Sequence, residues 1–527
     1  MHTTIPLQQT LKEFYSRGEM DYWMAPLVRV DDGKPVGKIR NGDSVFFCCR
    51  RGDRETQLME AFVDPTFDHF EVEPMPHLAV IPLVQFHEKF AHIPTIFPVL
   101  RPRGTMGEAL SSAGVTQTRI AESEKAAHVT FFFNGRRVDP YPNEDWVVVP
   151  SPHSSEFLTK PATSTAEVAQ EAERAMAAAG SADLDRHFIL VNLAAGDIVG
   201  HLDDWDANVL CAEAVDRALA KICAAAAKYG YAVAVTADHG LLEKFVKGDG
   251  SHNLSHTASR VPFGLVIPDG GPAVELQADD GASLADVAPT LLDLMGVPVP
   301  EGMTGRSLAA FGGTCGRVAM VVLDGWGIGA NDQSANPTVV ANTPCMDRIS
   351  AECPYTTLAA AGAAVGLPDG RSGNSETGHL TLGCGRVVPQ DERRISEAVR
   401  NGELVQNDAV NYGIEWARKY GGDIHVIMML SGCSSHGNMD EGIAVLQAAS
   451  KKGIDRAWLH LILDGRSTPP QGAADILKTL EEKVPSGMDL EVATAIGRGY
   501  ALDRSRSYRE KTQMSYRALV MGEGHRF

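Results

Sequence analysis

Several acidic and imidazole side chains fall directly after short apolar runs, a placement that suits metal-assisted chemistry. Asp324 closes VAMVVLD and is followed by GWG. Asp197 and His201 sit in AGDIVGH, where the i, i+4 spacing lets both face one ion from a single turn or tight loop. Asp238 and His239 end YAVAVTADHG, and His256 follows in NLSHTAS. In α/β proteins, side chains that end neighbouring strands converge where ligands bind, just outside the carboxyl ends of the strands. Mixed carboxylate and imidazole donors suit Mn²⁺ or Zn²⁺, and less often Mg²⁺. Singly these are weak signals, since a DxxxH pair is more often a surface pair and an Asp-His after a strand is often a helix cap. Their accumulation at strand ends gives the reading its weight.

A nucleophile is offered by GRSGNSETGHL, where Ser375 is placed at the start of a predicted helix. Backbone amides and the helix dipole favour an anion there, and the flanking glycines let backbone approach a phosphate. A serine hydroxyl attacks poorly at neutral pH unless a metal or base activates it. Taken alone, Ser375 reads more readily as a helix-capping residue. DGWGIG has the wrong spacing for a dinucleotide fingerprint.

A second group is basic. RRGDR (50–54), EKAAH (124–128), DGRSTPP (464–470) and GRGYALDRSR (497–506) place Arg or Lys beside turn residues after apolar runs. Such residues are usually solvated, but paired arginines at these spacings can clamp a carboxylate or phosphate bidentately.

The elements that must position these groups alternate along the chain. HFILVNL (187–193), YAVAVT (231–236), VAMVVLD (318–324), DIHVIMML (423–430) and WLHLILD (458–464) read as buried parallel strands. An Ala-rich helix is predicted over 205–228, ending at Gly230, with further helices at 438–451 and 471–483. The alternation predicts an α/β fold of doubly wound sheets. LAAFGGTCGR (308–317) is small and Gly-rich, and reads as a short connection.

With 527 residues, two to four domains are expected. The net charge of −19 argues against a nucleic-acid partner, which would require clustered Lys and Arg. No apolar run is long enough to span a bilayer. The first residues, MHTTIPLQQTLKEF, lack a charged-then-apolar leader pattern. Nine cysteines without a CxxC pair read as reduced thiols, so a soluble, monomeric, cytoplasmic protein is expected.

Together these motifs resemble cofactor-independent (2,3-bisphosphoglycerate-independent) phosphoglycerate mutase, of the alkaline phosphatase superfamily. The resemblance covers nearly the whole chain but in a different order. The family begins with a strand and DGWG, here at 318–327, followed by GNSExGH at 373–379, and it ends with a segment like LMGVPVPEGMTGRSL, here at 294–308. TLKEFYSRGEMDYWMAPLV resembles what should follow YRALVMGEG. The resemblance therefore implies a circular permutant, with the old termini joined near 309–316. It implies an alkaline-phosphatase-like metal domain over 100–390. A smaller α/β transferase-like domain would combine 1–99, as its second part, with 391–527, as its first. It further implies one metal on Asp324, Ser375, Asp238 and His239, and another on Asp197, His201 and His256, with Mn²⁺ the expected ion. Ser375 would be the phosphorylated nucleophile, and Lys125, from EKAAHVTFFFNG, a second catalytic residue that meets the substrate. His436, Arg466, Arg498, Arg504, Arg51 and Arg54 would hold a small phosphorylated carboxylate.

The departures lie on the substrate side. The family's DGRDTPP is here DGRSTPP, which puts Ser467 where a carboxylate is expected to move a hydroxyl proton. The family's DGGVHSH is here GCSSHGN, and its NFRPDR is here CRRGDR. Two enzymatic readings follow. One is 2-/3-phosphoglycerate interconversion through a phosphoserine. The other is a diverged phospho- or phosphonotransferase with a glycerate-like acceptor. A metal-binding scaffold without activity is the remaining reading. It is disfavoured because decay would be expected to remove ligands before peripheral loops.

Overall fold

The computed structural model describes residues 4–50, 52–182, 184–432, 434 and 436–527. Two compact units result, one from residues 1–100 and 391–527, the other from 101–390. Each holds its own seven-stranded sheet.

In the contiguous unit the strand order is Tyr355–Leu358, Val261–Val266, Ala232–Thr236, Arg317–Leu323, His187–Leu193, Thr116–Glu122, Glu144–Val149. The last five run parallel, and the first two add an antiparallel edge. Every residue of His187–Leu193 and of Ala232–Thr236 is buried, as required of strands covered on both faces. In the register, Leu323 pairs with Leu193 and Val322 with Thr236. The carboxyl ends of three adjacent strands are therefore nearly level, and residues 194, 237 and 324 leave the sheet side by side.

The Ala-rich helix spans Trp205–Tyr229, capped by Asp204, which accepts from the Ala207 amide at 2.8 Å, and ended by left-handed Gly230. It packs on helix Thr165–Ser181. Within 308–317 the expected connection contains a short strand. Ala309–Phe311 pairs antiparallel with Val274–Leu276, because a partner edge lies alongside to satisfy its backbone groups.

The second unit draws on both ends of the chain. Its sheet runs His525–Arg526, Leu27–Val28, Asp489–Gly497, Arg456–Leu463, Ile424–Leu430, Ser44–Cys48, Ala79–Pro82. The last five strands are parallel. Helices Met439–Lys451 and Ala473–Lys483 connect them. The α/β expectation thus holds in both units. No described helix is long and apolar enough to cross a membrane.

Candidate metal centre

Asp324 follows the central strand directly, and Asp238 and His239 leave its neighbour at the same level. Asp197 lies on the short helix Ala195–Gly200 that follows the other neighbouring strand, with His201 closing that turn. His256 comes from the loop before strand Val261–Val266. Its Nε2 reaches Asp197 Oδ1 at 3.0 Å and His201 Nε2 at 3.1 Å.

Ser375 opens helix Ser375–Cys384, whose cap is Asn374, accepting from the Thr377 amide at 2.9 Å. Gly378 allows the helix to sit on Asp238, because a Cβ there would come within 2.5 Å of the Asp238 carbonyl. Ser375 Oγ lies 2.7 Å from Lys125 Nζ, 3.0 Å from His239 Nε2 and 3.3 Å from Asp324 Oδ1. The hydroxyl is thus held at a helix N-terminus, among carboxylates, by a buried cation.

Lys125 lies in a turn just after strand Thr116–Glu122. Besides Ser375 it donates to Asp197 Oδ2 at 2.7 Å and Asp324 Oδ1 at 2.8 Å. Burial works against its charge, but Asp324, Asp197 and Asp238 outweigh that and hold the ammonium above the usual lysine range. Burial opposes charge on His239 too, yet the surrounding carboxylates, Asp238 first, raise it to about 9. Asp324 is held well below the usual carboxylate range, Lys125 and His239 overcoming the effect of its burial.

Among the described residues two donor groups emerge, Asp197 with His239 and His256, and Asp238 with Asp324 and His379, each with its ligand atoms within 4.8 Å of one another. His239 Nε2 lies 3.4 Å from Asp324 Oδ1, 3.5 Å from Asp197 Oδ1 and 3.6 Å from Asp238 Oδ2, so it stands between the groups. His201 Nε2 is 3.4 Å from Asp197 Oδ1, which places it beside the first group. Three carboxylates face one lysine, an anionic excess that divalent cations would neutralise. Asp238 Oδ2 is buried without a hydrogen bond, an orphaned acceptor of the kind a cation satisfies. The residues present therefore fit a pair of divalent cations.

Two members were not singled out from sequence. His379 lies one helical turn beyond Ser375, its Nδ1 2.9 Å from the Ser375 carbonyl and 3.2 Å from Asp238 Oδ2. Its i, i+4 spacing from Ser375 was the available signal. Asn192, inside strand His187–Leu193, donates to Asp324 Oδ2 at 2.7 Å and orients that carboxylate. An asparagine within a buried strand gives no comparable signal.

In the other unit the expected basic residues follow the carboxyl ends of four adjacent parallel strands. Arg498 follows Asp489–Gly497, is buried, forms an ion pair with Asp464 and donates to the His436 ring at 3.2 Å. Asp464 also accepts from the Ser467 amide at 3.2 Å within its own turn, while Arg498 links that turn to the His436 segment. Arg466, Ser467 and Arg504 are exposed, and Arg54 is half-buried on helix Gly52–Val63. Arg50 pairs with buried Glu441, and its amide donates to the His436 carbonyl at 2.8 Å, fixing the start of the loop. Arg51 lies outside the described residues.

A family model described as "Metalloenzyme superfamily" matches residues 68–299. Another, "BPG-independent PGAM N-terminus", matches residues 2–88 and 395–527. The chain is thus similar to BPG-independent phosphoglycerate mutases and to the Metalloenzyme superfamily, each model matching less than half of it. Among curated relatives of that name, the protein of Salinibacter ruber is 38% identical over 303 residues, 56% of each chain. That of Moorella thermoacetica is 38% identical over 315 residues, 59% of this chain and 58% of its own. The chain thus spans little more than half the length of the curated relatives it matches. A crystal structure of Leishmania mexicana phosphoglycerate mutase at low cobalt concentration matches with 28% identity and a TM-score of 0.40, over 54% of this chain and 53% of that one.

Proposed function

We propose that this chain transfers a phosphoryl group through Ser375, interconverting 2- and 3-phosphoglycerate by way of a phosphoserine. The observation that carries this reading is Ser375 Oγ at a helix N-terminus, 2.7 Å from Lys125 Nζ and between two donor groups. Asp324, Asp238 and His239, with Ser375 itself, would hold one divalent cation, and Asp197, His201 and His256 the other, with Mn²⁺ suited to the mixed oxygen and nitrogen donors. Such ions would lower the pKa of the serine hydroxyl and draw charge from the phosphate oxygens.

The chain's own residues orient the remaining chemistry. Lys125 fixes the serine oxygen and places a positive charge where a phosphate oxygen would carry negative charge in the transition state. The first amides of the Ser375 helix face the same position. On the acceptor side, Arg498 is held by Asp464 in a fixed orientation, suited to a carboxylate. The assay is conversion of 3-phosphoglycerate by Mn²⁺-loaded protein coupled to enolase, and absence of turnover would rule the activity out.

Ser467 favours a second reading. It is exposed and carries no carboxylate to accept a proton from glycerate, so a different phosphorylated or phosphonylated acceptor fits the same phosphoserine half-reaction. Phosphorylated Ser375 with no mutase turnover would select this reading.

We also infer that the domain order is a circular permutation of the family's. Support comes from family matches at both ends of the chain and from collinear alignments that stop at little more than half of either chain. The eight described cysteines are all free thiols, which supports a reducing compartment.

A further inference from the structure

The 101–390 unit contains a cavity of about 460 Å³ built from residues that take no part in the candidate metal centre. Four arginines line it, Arg101, Arg103, Arg136 and Arg137, against only Glu108 and Asp139. A concentration of guanidinium groups around one concavity runs against the −19 charge of the chain.

The backbone is shaped to bring the two arginine pairs together. Gly135 is left-handed at φ 70, and a Cβ there would come within 2.6 Å of the Pro102 carbonyl, so the 134–137 turn lies directly on the 101–104 segment. Arg136 follows with φ 66, in the left-handed region that disfavours a residue with a Cβ. Its amide donates to the Phe131 carbonyl at 2.7 Å, which holds the turn in place.

The side chains are partly pre-set. Arg137 stacks 4.7 Å from the centroid of Tyr141 and donates through Nε to the Asp139 carbonyl at 2.8 Å. Tyr141 is itself held 3.2 Å from Thr105 Oγ1. Glu108 accepts from the Gly104 amide at 2.6 Å, which occupies one of its oxygens. Among the described residues, the guanidinium of Arg103 and the terminal nitrogens of Arg137 make no hydrogen bond or ion pair.

We propose that this cleft is a binding site for a small phosphorylated molecule, gripped between Arg103 and Arg137. The planar guanidinium fork matches phosphate oxygens two at a time, and a cavity of this size suits a small ligand. The site is independent of the reaction assigned to Ser375.

The test is calorimetric titration of the full chain with inorganic pyrophosphate in EDTA, comparing wild type with R103E/R137E. Binding that weakens ten-fold or more in the double variant supports the site. A second double variant, R174E/R217E, makes the same charge change at exposed arginines on the helices Thr165–Ser181 and Trp205–Tyr229, and is expected to bind as wild type does. Absence of pyrophosphate binding to wild type, unchanged binding in R103E/R137E, or equal weakening in both double variants would overturn the proposal. Should R103E/R137E fail to fold, the single variants R103Q and R137Q carry the test, each expected to weaken binding three-fold or more and each overturning the site if it does not.

Discussion

Lys125 Nζ donates to Ser375 Oγ at 2.7 Å, although 250 residues separate the two in sequence. The same nitrogen reaches Asp197 and Asp324, so one ammonium aligns the hydroxyl and both donor groups. Replacement by methionine, close in length but uncharged, is expected to lower kcat by about 100- to 1,000-fold. Steady-state rates with saturating metal measure the effect, and a loss under five-fold would remove Lys125 from the chemistry.

Ser375→Ala is expected to abolish phosphoenzyme formation and to lower turnover by roughly 10⁴-fold or more. The informative readout is intact-protein mass after brief exposure to substrate. A phosphate adduct on wild type and none on the variant is the expected pair of results.

His379→Asn removes an imidazole beside Asp238 while leaving Ser375 in place. Metal affinity is expected to fall by about 10- to 100-fold, as is usual when a ligand or its supporting partner is lost. Equilibrium dialysis against Mn²⁺ reports this without reference to activity.

Ser467→Asp restores the carboxylate that the resemblance calls for. Mutase turnover is expected to rise in the variant, and an unchanged rate would show that acceptor handling is limited elsewhere in the unit.

Acid stability offers a test of the core. His187 is buried, with its ring 2.7 Å from Tyr231 OH and 3.0 Å from Thr118 Oγ1, and burial followed by Arg317 lowers its pKa to about 4. His460 is pushed down by burial and by His425. A group with a depressed folded-state pKa binds its proton more readily in the unfolded chain. Stability is therefore fully present above the unfolded value near 6.5 and is lost as pH falls toward about 4. His187 alone would account for a loss on the order of 3 kcal/mol. Denaturant titrations at pH 7 and pH 4.5 measure it, and His187→Gln should flatten the dependence.

The strands were legible in the sequence because parallel strands buried on both faces leave continuous apolar runs, as in HFILVNL and DIHVIMML. Asp324, Asp238 and Asp197 could be read because each closes or follows such a run. His379 and Asn192 were harder, since their roles arise from what crosses over them. Asn192 is one buried polar group in an apolar strand, and only the neighbouring Asp324 gives it a purpose. The Arg498–Asp464 ion pair was hidden for the same reason, its partners ending different strands. Residues 309–311 were read as part of a connection because three small or apolar residues give no periodicity, and pairing with Val274–Leu276 makes them a strand.

The sheet of the unit formed from both chain ends has a temporal consequence. Ser44–Cys48 lies beside Ile424–Leu430, and Leu27 aligns with both Ala495 and His525. A ribosome completes the contiguous 101–390 unit while the first hundred residues still lack their neighbours. Those residues must wait, with Ser44–Cys48 paired only to Ala79–Pro82, until Ile424–Leu430 and the strands beyond it have been made. Assembly of that sheet is thus a late event with high contact order, and its speed sets how long the nascent chain is exposed to aggregation.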